Sequence, residues 1–279
     1  MRIPQFGFGT YKITEASEVL SVLDDALKAG YRLFDTAKVY NNEKEIGSAL
    51  KILLPKHNLT REDITIISKL HPTAQNTFDE TIRRVYESLD LLQTDYIDIY
   101  LIHYPKPNEC QNEDENNAEY RRLTYCALEK CLEDGKIRTI GVSNYEIRHL
   151  EEIRGFAKHL PVLNQIELHP HFTRKELREY CRSNGIIVQA FSSLARHNEQ
   201  LFGSEIVGKL AEKYEVPATS IILAWATNQN ILIIPKSTNF NRMVQNLNVP
   251  QLSIPEIEAL SELNINKNYV GRTTGWLVQ

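Results

Sequence analysis

The sequence predicts an α/β protein folded as a (β/α)8 TIM barrel, with one domain over residues 1–279. Eight short apolar runs recur along the chain, and most are continuously hydrophobic, as in parallel strands covered on both faces. Segments with helical periodicity separate them, and the length is close to the roughly 250 residues of such a barrel. The predicted strands are Phe6–Thr10, Tyr31–Asp35, Ile64–Lys69, Tyr96–His103, Ile137–Ser143, Leu163–Leu168, Ile186–Ser192 and Ile231–Lys236.

Start and stop signals delimit five helices between these strands. The first helix has one apolar face and ends before Gly30, a residue suited to a helix C-terminus. The fourth opens with the capping-box spacing of Thr173 and Glu176, and the fifth has Pro217 at its expected first position. The polar residues 108–117 are predicted to form one long loop after the fourth strand. The predicted helices are Thr14–Ala29, Phe78–Leu92, Glu119–Glu133, Thr173–Asn184 and Pro217–Thr227.

The main alternative architecture is a doubly wound open sheet. That fold would need a glycine-rich phosphate loop between its first strand and first helix. The segment Gly7-Phe8-Gly9-Thr10 supplies two glycines and lacks the third of the dinucleotide-binding motif. The barrel is therefore favoured.

Composition excludes several classes of protein. Hydrophobic residues make up 42% and charged residues 24%, so the chain can bury a core and is not disordered. A net charge of −4 without a block of Lys and Arg argues against nucleic-acid binding. The sequence shows neither a signal peptide nor a membrane span. Four cysteines do not form a disulfide framework, and the Cys and His residues form no complete zinc ligand set, so we expect a cytoplasmic protein without a metal.

Ionisable residues end three successive predicted strands. Asp35, Lys69 and His103 each follow an apolar residue of the same parity, two positions earlier, that would face the barrel interior. At the carboxyl ends of parallel strands they would meet where barrel active sites form, with Tyr40 in the following loop. Singly, each has a structural explanation, such as a helix cap for Asp35 or a solvent-reaching ammonium for Lys69. Jointly, they favour a catalytic cluster.

Such a cluster is suited to protonating an oxygen atom of a substrate. A tyrosine has a pKa near 10, and a nearby ammonium is expected to lower the pKa of Tyr40. Asp35 would keep Lys69 charged, Tyr40 would act as general acid, and His103 would orient a carbonyl oxygen. No serine or cysteine is paired with a histidine as a nucleophile. The natural attacker on the carbon is therefore a hydride from a nicotinamide cofactor.

These residues lie in motifs by which the chain resembles the aldo-keto reductases, in the branch of monomeric aldehyde, aldose and prostaglandin-type reductases. The similarity extends from Pro4 to about Tyr269. The resemblance implies that Asp35, Tyr40, Lys69 and His103 are the family's catalytic tetrad. The motifs are Gly7-Phe8-Gly9-Thr10-Tyr11, Gly30-Tyr31-Arg32-Leu33-Phe34-Asp35-Thr36-Ala37, Tyr40-Asn41-Asn42-Glu43, Ile67-Ser68-Lys69-Leu70, Asp98-Ile99-Tyr100-Leu101-Ile102-His103-Tyr104-Pro105, Gly135-Lys136-Ile137-Arg138-Thr139-Ile140-Gly141-Val142-Ser143-Asn144, Asn164-Gln165-Ile166-Glu167 and Ile234-Pro235-Lys236-Ser237.

The resemblance also implies NADPH as cofactor, bound without a Rossmann fold. It assigns the carboxamide of the nicotinamide to Ser143, Asn144 and Gln165, with Thr10 and Asp35 near the same end. The remaining implied contacts are the ring-stacking Phe191, the diphosphate-loop residues Ser192 and Leu194, the 2′-phosphate residues Lys236, Ser237 and Arg242, and the adenine contact Asn246.

The chain departs from the family pattern at several places. Tyr11 and Tyr104 stand in the substrate pocket where relatives often carry tryptophan, and Phe191 replaces a tyrosine. Arg196 lies in a loop that usually has a Gly-Ser pair, and Gln245 replaces a glutamate. The usual N-terminal hairpin is expected to be absent, and the tail after Tyr269 is short.

The functional prediction is NADPH-dependent reduction of small aldehydes or ketones by a monomeric enzyme that binds neither nucleic acid nor membranes. The alternative is an NADPH-binding sensor or scaffold on the same barrel, with little or no turnover. A barrel hydrolase ranks third, because no carboxylate pair or metal ligand set is evident.

Overall fold

Eight parallel strands form one sheet in the computed structural model, which describes residues 3–73, 77–107 and 109–270. The strands follow one another in chain order from β1 to β8, each parallel to the next, with helices in the connections. The strands are β1 Phe8–Gly9, β2 Leu33–Asp35, β3 Thr65–Leu70, β4 Ile97–Ile102, β5 Ile137–Ser143, β6 Leu163–Glu167, β7 Ile187–Phe191 and β8 Leu232–Ile233.

The helices lie between the strands or after the last one. Short 3-10 helices are present at Lys38–Tyr40, Arg61–Asp63 and Ala195–His197. The α-helices are α1 Ala16–Ala29, α2 Glu43–Lys56, α3 Phe78–Leu92, α4 Asn116–Glu133, α5 Ile147–Arg154, α6 Lys175–Ser183, α7 Glu199–Phe202, α8 Glu205–Tyr214, α9 Ala218–Thr227, α10 Phe240–Leu247 and α11 Ile254–Ser261.

The predicted class, an α/β protein with eight parallel strands and intervening helices, is confirmed. The sheet curls so that the segment before β1 meets β8. The Gly7 amide donates to the Ile233 carbonyl at 2.8 Å, and the Ile233 amide donates to the Gln5 carbonyl at 2.9 Å. A parallel bridge also pairs Phe6 with Ile233.

Of the five predicted helices, α3 has the predicted bounds, α1, α4 and α9 end where predicted but begin at a different residue, and α6 differs at both ends. Gly30, which follows α1, has a φ of 111° that suits glycine. The predicted capping box of α6 is absent, because Arg174 is the N-cap residue and no side chain caps it. Pro217 precedes α9 rather than starting it. Helix α4 begins at Asn116, inside the segment predicted as a loop.

Alternate residues of the strands fill the interior of the curled sheet. This interior cluster contains Leu33, Ile67, Ile99, Leu101, Leu163, Leu232 and Ile234. Ile3, which precedes β1, and Val162, which precedes β6, also pack against this cluster. Space is tight, since a Cβ at Gly141 would lie 2.5 Å from Cδ2 of Leu101. The parity predicted for the residues that precede Asp35, Lys69 and His103 is therefore confirmed.

Within the part of the chain that the structure describes, none of the helices has the length and apolar character to cross a membrane.

Candidate active site

A cavity of about 570 Å³ opens at the carboxyl ends of the strands. Three of the four predicted catalytic residues line it: Asp35, Tyr40 and His103. Lys69 has no exposed surface and contacts Asp35 and Tyr40. The cavity is also lined by Gly9, Tyr11, Lys12, Val39, His71, Tyr104, Gln165, Phe191, Ser192, Ser193, Leu194, Arg196, His197, Ile234, Pro235, Lys236 and Val270.

The ammonium of Lys69 is held by three oxygen atoms. Its Nζ donates to Oδ1 of Asp35 at 2.7 Å and to the carbonyl of Thr36 at 2.8 Å. The third oxygen is the hydroxyl of Tyr40, at 3.3 Å. The polypeptide achieves this because β2 and β3 pair in register, with Asp35 opposite Ile67, and the 3-10 helix after β2 returns Tyr40 over the strand ends.

Asp35 is fixed from both sides of its carboxylate. While Oδ1 accepts from Lys69, Oδ2 accepts from Nε2 of Gln165 at 2.7 Å. The backbone amide and hydroxyl of Thr10 both donate to the carbonyl oxygen of Asp35. The carboxylate therefore has little freedom to rotate away from Lys69.

Burial shifts the pKa values of the two members of this ion pair in opposite directions. It raises the pKa of Asp35 and lowers the pKa of Lys69, because the low-dielectric interior disfavours both charges. The mutual attraction of the two groups opposes both shifts. Since the pair also has hydrogen bonds from Gln165 and to Thr36, we assign it the charged form.

The pKa of Tyr40 does not move in the direction expected from the sequence. Burial raises it well above the ordinary value, and the Asp35 carboxylate acts in the same direction. The lowering that the sequence predicted from Lys69 alone is outweighed by these two effects. Tyr40 is consequently a protonated donor at neutral pH, which is the state that a proton donor requires.

His103 is neutral. Burial and the charge of Lys69 hold its pKa well below the ordinary value. Its ring stands edge-on to Tyr40 with 5.9 Å between centroids, and it stacks on Tyr104 at 5.1 Å. Its Nδ1 has no hydrogen-bond partner among the described residues. A neutral imidazole can offer one ring N–H to an oxygen in the cavity.

The residues assigned to the nicotinamide carboxamide are brought together beside the tetrad. Ser143 pairs with Gln165 across β5 and β6, and its hydroxyl donates to the Gln165 carbonyl at 2.9 Å. Asn144, with a φ of 62°, donates from Nδ2 to the carbonyl of His103. Of these three, Gln165 lines the cavity, as do Phe191, Ser192 and Leu194.

The residues assigned to the far end of the cofactor lie in the loop after β8 and on α10. Lys236 and Arg242 are exposed and form no ion pair with a described residue. Asn239 caps α10 through Oδ1, and Ser237 accepts from the Asn239 amide, so both shape the turn between the two cations. Asn246 is 6% exposed and contacts Tyr31. Of the whole group, Lys236 alone is among the cavity-lining residues described.

Sequence reasoning missed two polar residues near the tetrad. Gln189 accepts from Gln165 at 2.7 Å through Oε1, and its buried Nε2 has no partner among the described residues. His71 lines the cavity, and burial lowers its pKa. Both could have been found by parity, because Gln189 is two residues before Phe191 and His71 is two after Lys69.

The donor set fits a nicotinamide dinucleotide, with or without a further phosphate. Amide groups of Gln165 and Asn144 and the face of Phe191 lie at the tetrad end, where a carboxamide and an aromatic ring would need them. Lys12, Arg196 and Lys236 line the same cavity, with basic groups suited to phosphate. The described residues contain no group of three or more potential metal ligands of the His, Cys, Asp and Glu types.

Comparison with known proteins agrees with this geometry. Residues 5–265 match the model of the Aldo/keto reductase family. Glyoxal reductase of Bacillus subtilis is 36% identical over 95% of this chain and 90% of that protein. Aldose reductase C of Dictyostelium discoideum is 35% identical over 95% of this chain and 87% of that relative.

Solved structures show the same likeness. An aldo-keto reductase from a Medee basin deep-sea metagenome library superposes with a TM-score of 0.87 at 32% identity, covering 96% of this chain and 94% of that one. The aldose reductase of Schistosoma japonicum superposes with a TM-score of 0.86 at 30% identity, covering 99% and 94%. The chain belongs to the aldo/keto reductase family and is an oxidoreductase of carbonyl compounds.

Proposed function

We propose that this enzyme reduces aldehydes or ketones to alcohols with NADPH, and that Tyr40 donates the proton. The observation that carries the proposal is the position of the Lys69 ammonium, which is 2.7 Å from the Asp35 carboxylate and 3.3 Å from the Tyr40 hydroxyl beside an open cavity. A buried ammonium and carboxylate have a large desolvation cost, so their retention beside a phenol favours a chemical role.

Each member of the tetrad has a distinct task. A reduced nicotinamide, when bound, supplies the hydride that a carbonyl carbon accepts. Tyr40 gives its proton to the carbonyl oxygen as negative charge develops there, and the neighbouring Lys69 stabilises the phenolate that remains. Asp35 keeps Lys69 charged and in place. Neutral His103 donates a hydrogen bond to the carbonyl oxygen and so orients it toward Tyr40.

The cofactor contacts belong to the same proposal. Ser143, Asn144 and Gln165 would hold the carboxamide near Thr10 and Asp35, and Phe191 would stack on the nicotinamide ring. Ser192 and Leu194 would cover the diphosphate. The groups proposed for the adenosine end are Lys236, Ser237, Arg242 and Asn246.

Wild-type turnover tests the reaction class directly. We expect loss of NADPH absorbance with at least one member of a panel of small aldehydes, dicarbonyls and ketones. The substrate panel should include glyoxal and aldoses, because relatives carry the names glyoxal reductase and aldose reductase. Tight NADPH binding without turnover of any compound in the panel would instead favour the alternative function, a sensor or scaffold. The reductase names of the relatives argue against that alternative.

Cofactor choice is tested by removing the two exposed cations. Lys236→Ala and Arg242→Ala are each expected to weaken NADPH binding about tenfold or more, since a charge-assisted hydrogen bond to phosphate contributes roughly 1.5–3 kcal/mol. Binding of NADH, which lacks the 2′-phosphate, should change much less. Fluorescence titration measures both affinities, with the exposed Lys51→Ala on α2 as control. Equal weakening for both cofactors would place the 2′-phosphate elsewhere.

Four further properties belong to the proposal. The hydrogen bonds between Ile233 and the segment before β1 support a closed (β/α)8 barrel. The single eight-stranded sheet supports one domain. We also propose that the enzyme, which acts on small carbonyl compounds, is a monomer and that it is located in the cytoplasm.

A further inference from the structure

A buried carboxylate lies near the cavity, outside the tetrad. Glu167 ends β6 two residues after Gln165 and is 2% exposed. No Lys or Arg of the described residues pairs with it, and Nε2 of His169 lies 3.0 Å from its Oε1. A carboxylate in this position must be satisfied by other donors, because an unpaired buried charge is costly.

Those donors come from the far end of the chain. Oε1 of Glu167 accepts the backbone amide of Tyr269 at 2.6 Å, and Oε2 accepts the amide of Val270 at 2.9 Å. Hydrogen bonds to an ionised acceptor are roughly twice as strong as neutral ones. We call residues 269–270 the strap. One carboxylate thus fixes both amides of the strap at the end of β6.

Neighbouring contacts hold the strap in the same place. Nδ1 of His171 lies 2.9 Å from the Tyr269 hydroxyl, and the His171 carbonyl accepts the amides of Ile265 and Lys267. The Tyr269 ring also lies 5.3 Å from the ring of His169. These contacts are made by the loop after β6, so Glu167 belongs to a rigid support.

The strap matters because Val270 lines the cavity. Glu167 is opposite Phe191 in the register of β6 and β7, and Gln165, two residues before it, donates to Asp35. The carboxylate therefore connects the strap to the strand that also positions the tetrad. The amides of residues 269 and 270 have fixed positions relative to the reacting centre as a result.

We propose that Glu167 is a positioning residue for substrate selection, whose carboxylate holds the strap so that Val270 forms one wall of the carbonyl pocket. This rests on the proposed function. The wall is apolar, so it favours binding of carbonyl substrates large enough to reach it and does not affect the binding of two- or three-carbon carbonyls.

Amide exchange tests the hydrogen bonds themselves. In the wild-type protein the amides of Tyr269 and Val270 should be protected from exchange with deuterated solvent. Glu167→Gln replaces one acceptor oxygen with an NH2 group that faces an amide donor, so exchange at the strap should accelerate at least tenfold. Glu179→Gln, at an exposed position on α6, is the matched control. Unprotected strap amides in the wild type, or equal protection in Glu167→Gln, would overturn the proposal.

Kinetics tests the consequence for substrate selection. We compare KM for 4-nitrobenzaldehyde with KM for methylglyoxal, with NADPH affinity measured alongside. In Glu167→Gln the KM for 4-nitrobenzaldehyde divided by the KM for methylglyoxal should rise about five- to tenfold. The larger aldehyde loses its apolar contact with the Val270 side chain, and the smaller one does not. Val270→Ala should shift the ratio in the same direction, and it leaves the buried carboxylate intact if Glu167→Gln does not fold.

The outcomes separate the two proposals. An unchanged KM ratio in Val270→Ala shows that Val270 is not a pocket wall and overturns the inference, while turnover of the wild type leaves the proposed function standing. If the wild type reduces no carbonyl, the proposed function fails and the claim about substrate selection fails with it; the exchange experiment still reports whether Glu167 holds the strap.

Discussion

Replacing Tyr40 with phenylalanine is expected to lower kcat for any carbonyl substrate by about 100- to 10,000-fold, the range that one general acid contributes. The substitution removes the hydroxyl that lies 3.3 Å from Nζ of Lys69. The ring remains, and it keeps its contacts with Tyr11 at 5.0 Å and His103 at 5.9 Å between centroids. The shape of the cavity is therefore preserved while the proton is lost.

Single-turnover kinetics with saturating NADPH measures this effect, and fluorescence titration shows whether the cofactor still binds. Tyr86→Phe, which removes a hydroxyl from a 40% exposed tyrosine on α3, is the matched control. Cofactor affinity close to that of the wild type is expected in Tyr40→Phe. Full turnover in this variant would reject Tyr40 as the proton donor.

Replacing Lys69 with methionine is expected to lower the free energy of unfolding by about 3–5 kcal/mol, the usual effect of breaking a buried ion pair from one side. The partner, Asp35, is 2% exposed and would be left buried without its counterion. Activity should also be lost, because nothing then stabilises a phenolate at Tyr40. Urea denaturation and turnover measure the two effects separately.

The double variant Asp35→Asn, Lys69→Met distinguishes stability from chemistry. It removes both charges, so it should be more stable than Lys69→Met alone while remaining inactive. A single variant as stable as the wild type would mean that the pair is not ionised in the native protein. Activity in the double variant would show that the Lys69 ammonium is not required for the reaction.

Much of the fold could be predicted from hydrophobic pattern. The eight strands were found in order because strands buried on both faces are continuous apolar runs, and β5 has the predicted bounds. Strand ends were less accurate: β8 spans Leu232–Ile233, shorter than the predicted Ile231–Lys236. Backbone pairing with the neighbouring strands, which no local pattern contains, decides those ends. The cap of α6 was wrong for a similar reason, since the Thr173 amide donates to Asn264, far along the chain.

The tetrad could be predicted because its members are unusual residues at strand ends. Parity placed Asp35, Lys69 and His103 on the inner face, and the structure brings them together. Their roles, and those of the cofactor residues, stay proposals that the variants above test. Gln189 could also have been found by parity, but parity alone did not single it out, because a polar residue in a strand has many ordinary explanations. Glu167 was not singled out for the same reason.

The sequence by itself determined the order of the eight strands, the inward parity of the catalytic candidates and the family. These depend on local periodicity and on residue types at fixed spacing. Only the tertiary structure decided the raised pKa of Tyr40, since burial and the charge of Asp35 act through space. The link from Glu167 to Val270 also needed the fold, because it joins residues 103 positions apart.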